Sequence, residues 1–106
     1  MHTRDIQVGR HVVTVDFFQF TPKDRSMCNH VPCNAPEGWK TAVLIQPRSA
    51  RIPPQIAIFD GEWWYLFRYS PLGFNYFAVL SLRGFRNPAE MFEFEVERFW
   101  NKRLLA

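Results

Sequence analysis

Apolar and polar residues alternate with a period of two over much of this chain. In residues 3–18, T-R-D-I-Q-V-G-R-H-V-V-T-V-D-F-F, the alternation runs on both sides of Gly9-Arg10. A glycine at the first central position suits a two-residue type II′ turn, so this stretch predicts a hairpin. Its pairing puts Ile6, Val8, Val13, Val15 and Phe17 on one face. Asp5, Gln7, Val12, Thr14 and Asp16 fall on the other, so one face is core and one is wet. His11 falls on the apolar side but beside the turn, as a packed or half-exposed turn residue.

A second hairpin is expected around Asp60-Gly61, between I-A-I-F and W-W-Y-L-F-R-Y. Asp-Gly between β-branched and aromatic runs is a strong hairpin signal, because a type I′ turn needs φ > 0 at both central residues. A two-residue loop pairs Phe59 with Glu62 and Ile58 with Trp63. One face then holds Ile56, Ile58, Trp63, Tyr65 and Phe67. The other holds Ala57, Phe59, Glu62, Trp64, Leu66 and Arg68. Both are largely apolar, so each needs a cover.

Further strands are expected at 39–45 and at 74–82, the latter apolar on both faces and therefore central. Residues 19–38 show no period, and loops of that length are usually functional. Residues 46–55 form a second loop, where Pro47, Pro53 and Pro54 cannot donate to a ladder. The C-terminal stretch predicts a helix. Asn87 suits the N-cap, Pro88 the first helical position and Glu90 a capping box. Phe92, Val96, Phe99, Trp100 and Leu104 form a core-facing stripe. The fold class expected is α+β: a mostly antiparallel sheet of about five to six strands, two hairpins plus further strands, packed by one C-terminal helix. At 106 residues it is a single domain, 1–106.

Composition sharpens this picture in a few places. The 17% aromatic content argues against disorder. No apolar run reaches the ~20 residues of a membrane span, and the N-terminus lacks an apolar leader, so the expected location is cytoplasmic. Net charge is +3, with the positive excess before residue 87. Two cysteines make no disulfide framework.

Candidate chemistry is sparse. Cys28, His30 and Cys33 offer three of the four ligands that structural zinc requires, at an unfamiliar spacing, so no metal and no cofactor are expected. Two free thiols, or a contact between Cys28 and Cys33, are the plainer alternatives. No phosphate loop, nucleophile elbow or H-E-x-x-H motif is present. A surface is the better candidate. If the helix covers one side of the sheet, the other exposes Trp64, Phe59 and Leu66 near Arg68, unless segment 19–38 folds over them. Aromatic and Arg clusters make interface hot spots and also stack single-stranded nucleic acid. Arg48 and Arg51, in a proline-framed loop, would border that face.

W-x-x-x-V-L-I followed by I-x-x-F-D-G-x-W-W resembles small phage- and plasmid-encoded β-proteins of unknown function, over about a third of the chain, and carries no functional residues across. The function expected is a small non-enzymatic binding protein whose partner is another protein, an inhibitor or accessory factor of the kind mobile elements encode. Its contact residues would be Trp64, Phe59, Arg68, Arg48 and Arg51. The alternative is a nucleic-acid binder using Arg and aromatic residues. A third reading is a metal- or thiol-dependent protein centred on Cys28, His30 and Cys33.

Overall fold

In a computed structural model, the structure describes residues 2–8, 10–52, 54–69, 76–82 and 90. Among the described residues six strands follow one another as an antiparallel meander: β1 (His2–Val8), β2 (His11–Phe20), β3 (Thr41–Pro47), β4 (Gln55–Phe59), β5 (Trp64–Tyr69) and β6 (Tyr76–Leu82). Their order in the sheet is their order in the chain, and each neighbouring pair is antiparallel. The antiparallel sheet and both hairpins are therefore present. The expected C-terminal helix lies outside the described residues except for Glu90, which is helical.

The first hairpin has the expected register, with Val8 opposite His11 and Ile6 opposite Val13. Ile6, Val13, Val15 and Phe17 are buried, while Asp5, Gln7 and Val12 are exposed. Cross-strand pairs finish the wet face: Thr3 Oγ1 donates to Asp16 at 2.8 Å and Thr14 Oγ1 to Asp5 at 2.7 Å.

The second hairpin differs from expectation by two residues. Phe59 pairs with Trp64 and Ile58 with Tyr65, so the loop is Asp60–Trp63 rather than Asp60-Gly61 alone. The cause is the Asp60 carboxylate. It accepts the backbone N–H groups of Glu62 at 2.8 Å and Trp63 at 2.7 Å, and the Tyr65 hydroxyl at 3.3 Å. Within this turn only Gly61 has positive φ, at 107°, so the two positive φ values of a type I′ turn are not met. A shift of two preserves parity, and the two faces keep their expected membership apart from the loop residues Glu62 and Trp63.

Two apolar clusters sit on opposite faces of the sheet. On the Val15 face Ile6, Val13, Val15, Phe17, Val43, Ile45, Ala57 and Leu66 pack together, joined by Ile52 from the β3–β4 loop and by Trp64. On the Leu44 face Phe20, Ala42, Leu44, Ile56, Ile58 and Phe67 form the second cluster. Segment 21–40 covers this second face. Met27, Val31, Ala35 and Trp39 pack onto it, and Trp39 meets Phe20 edge-to-face at 5.9 Å. The segment is a chain of turns. Asp24 accepts the Thr21 N–H at 2.9 Å, and the N–H groups of Met27, His30 and Ala35 each bond the carbonyl three residues back.

One alternative is set aside here and one expectation corrected. Segment 21–40 folds over the face opposite Trp64 and Leu66, not over them. β6 stands last in the strand order rather than centrally. Apolar residues on both sides of a strand report that its faces are covered; they say nothing about its edges.

Candidate interaction groove

The residues expected to form one contact surface are separated by the sheet. Phe59 and Trp64 are cross-strand partners with ring centroids 5.0 Å apart, and both are half-buried. Leu66 is fully buried and belongs to the core, so it contributes no surface. Thr41, at the start of β3, pairs with Phe59, while Pro47 at the far end precedes Arg48. At ~3.3 Å per residue, this places Arg48 about 20 Å from the aromatic pair. Arg68 sits opposite Gln55, four residues beyond Trp64 along β5. The structure thus brings Phe59 and Trp64 together, and Arg48 and Arg51 together, at opposite ends of β3.

The arginine end forms a groove of about 420 Å³ lined by His11, Val12, Val13, Thr14, Arg48, Ser49 and Arg51. Its origin is a length mismatch. β2 pairs with β1 from His11 onward but with β3 only from Val15 onward. Beyond Pro47 the chain leaves the sheet, and the gap beside His11–Thr14 opens onto the β3–β4 loop. That loop is pinned at both ends. The Arg48 N–H donates to the Thr14 carbonyl at 2.8 Å, and the Ile52 side chain is buried in the Val15-face core. Between them the Ile52 N–H donates to the Ser49 carbonyl and the Arg51 N–H to Ser49 Oγ, each at 3.3 Å. The loop is a short tethered arch that leaves Arg51 on its outside.

The charges in the groove have different assignments. Arg48 makes a bidentate bond to Asp16, Nε to Oδ2 and Nη2 to Oδ1, both at 3.0 Å. Bonds to Arg48 and then to Thr3 hold the Asp16 carboxyl below its ordinary value; the same carboxylate raises the Arg48 guanidinium. This pair fixes Arg48 and offsets its charge. Arg51 is exposed and makes no side-chain hydrogen bond or ion pair among the described residues. His11, which lines the same groove, is exposed, as is the turn residue Arg10 that precedes it in the chain. Val12, at 61% exposure, is the one large apolar side chain among the described residues that stands bare in water.

Arg48 and Arg51 were legible as candidates. His11 and Val12 were not, although a valine on the wet face of a hairpin is a signal that the alternation itself displays. The loop cysteines are free, Cys28 half-buried and Cys33 exposed. Among the described residues no three His, Cys, Asp or Glu side chains gather in a metal-binding group. No helix among the described residues is long and apolar enough to cross a membrane. Comparison of the chain with protein-family models, curated proteins and solved structures returns no match.

Proposed function

We propose that this chain is a non-enzymatic binding module that docks another protein through the groove between β2 and the β3–β4 loop. The carrying observation is the meeting of a bare apolar side chain, Val12, with the uncommitted guanidinium of Arg51 in one 420 Å³ recess. Isolated apolar residues are common on surfaces, and isolated arginines more so. A recess that combines the two, on a loop tethered by Ile52, has the composition of an interface anchor within a charged rim. The partner it suits is acidic. The Phe59–Trp64 pair, at the other end of β3, would be a second contact on a partner large enough to reach it. The architecture that goes with this reading is α+β, with a helix capped at Asn87 closing the sheet, in a cytoplasmic protein acting as an inhibitor or accessory factor.

Selection from a randomised displayed peptide library tests the reading. Acidic peptides are expected to be enriched on the wild-type chain and lost on Arg51→Glu, with both proteins melting at the same temperature. Enrichment without acidic bias, or enrichment that Arg51→Glu leaves intact, would refute it. Binding of a single-stranded oligonucleotide, abolished by the same substitution and falling steeply with salt, would instead favour the nucleic-acid reading.

A further inference from the structure

The groove is also a gap in the sheet, and its floor is main chain. Thr14 turns its carbonyl toward the β3 side, where it takes the Arg48 N–H at 2.8 Å. Backbone groups of a strand point alternately to its two neighbours, so those of Val12, two residues earlier, point the same way. Among the described residues no strand lies there, since β3 joins β2 only at Val15. On its other side Val12 is flanked by Gln7 of β1, so the hairpin already holds this piece of β2 in extended form. The Val12 N–H and C=O therefore stand ready-made for one more antiparallel neighbour, in the place that a longer β3 would occupy.

From this geometry we infer that the groove takes an extended acidic segment of the partner protein as an added strand, main chain to main chain with Val12. The inference rests on the binding reading above and specifies its mode. Strand addition draws affinity from backbone hydrogen bonds and specificity from alternate side chains. The side chain directly opposite Val12 would lie on the same face as the valine, where an apolar residue buries the 61% of Val12 now exposed. Its two neighbours point to the other face or outward along the arch, toward His11 and Arg51. Charge complementarity selects the occupant. His11 and Arg51 line the opening, while the nearby carboxylates, Asp5 and Asp16, are engaged with Thr14 and with Arg48 and Thr3. The motif expected is acid–apolar–acid in extended form. A second copy of this chain is disfavoured as occupant, because its own extended edge β1 carries Arg4 between His2 and Ile6 on one face, not flanking acids.

The test uses a peptide recovered from the displayed library, with the full chain as receptor. N-methylation of the residue opposite Val12 is expected to weaken binding about tenfold or more, the loss of one main-chain hydrogen bond and its close approach. Methylation of the next residue, whose N–H points away, should matter far less. By amide hydrogen exchange, Val12 should slow on peptide addition while Val13, already facing β1, should not change. Val12→Pro loses the N–H facing the gap together with the valine side chain, whereas Val12→Ala loses the isopropyl group alone, so the proline variant should bind more weakly than the alanine one. If acidic peptides bind and depend on Arg51, but N-methylation at every position is silent and the Val12 amide stays unprotected, strand addition is overturned while the groove reading stands. If no acidic peptide is enriched, both are overturned.

Discussion

Replacing Gln55 by leucine should stabilise this protein. Gln55 lies on β4 between Ile45 of β3 and Arg68 of β5, and it is fully buried. Among the described residues, neither its Oε1 nor its Nε2 has a hydrogen-bond partner. In an interior where almost all polar groups are paired, an amide left dry costs about 1–3 kcal/mol. Leucine fills a similar volume without that cost, and a shape mismatch of this kind subtracts less than ~1.5 kcal/mol. The expected net gain is about 1–2 kcal/mol, which for a domain of this size raises Tm by roughly 4–16 °C. Gln55→Ala separates the polar and packing contributions. It removes the same amide but leaves a cavity, so it should be less stable than Gln55→Leu by ~2–5 kcal/mol. Gln46→Leu, at an exposed β3 position, serves as the control and should leave Tm nearly unchanged. The assay is thermal unfolding together with denaturant unfolding at constant m. A Gln55→Leu variant that melts lower than wild type would refute the reasoning, because it would mean the amide is satisfied and contributes to the fold.

Three further outcomes follow from the loops and charges. Gly61→Ala should cost about 1–3 kcal/mol from backbone strain alone, since the added Cβ would meet nothing closer than Lys40 Cγ at 3.8 Å while φ stays at 107°; an unchanged denaturation midpoint would mean the turn relaxes freely. Trp39→Ala should loosen segment 21–40 at a cost of about 2 kcal/mol, and a maleimide should then react faster with Cys28, whose thiol now faces the Pro22 and Asp24 carbonyls at 3.7 and 3.5 Å; Cys33, already exposed, should keep its rate. Asp16 and Asp60 titrate below their ordinary value of 3.8, Asp16 through Arg48 and Asp60 through the Trp63 and Glu62 N–H groups, so their stabilisation is complete above pH 3.8 and is lost as pH falls through the lowered native values. The Tyr65 hydroxyl is shifted the other way, above 10.0, by desolvation and then by Asp60, so its contribution holds below pH 10 and fades above it; urea midpoints followed across both limits check the two signs, and Asp60→Ala should flatten the acid limb.

Which side chains share a face was determined by the sequence itself. The period of two assigned Ile6, Val13, Val15 and Phe17 to one side of the first hairpin, and Ile56, Ile58, Tyr65 and Phe67 to one side of the second. That assignment survived the register error at Asp60, because two-residue and four-residue loops have the same parity. The proline-framed arginines were legible too, as a loop between ladder breakers, while Val12 stood on the polar face without being singled out. Tertiary structure decided the rest. Asp60 could fold its carboxylate onto Glu62 and Trp63 only in the closed turn, and this set the register. Residues 19–38 looked aperiodic and Trp39 looked like the start of a strand, yet Met27, Val31, Ala35 and Trp39 recur every fourth residue along a run of turns, which neither helix nor strand templates recognise. Which face they cover depends on where Phe20 hands the chain over. Most of all, the distance from Phe59 and Trp64 to Arg48 and Arg51 is the length of β3. Local pattern cannot supply it, because it arises from pairing Thr41 with Phe59 at one end of the strand while β2 runs on past the other.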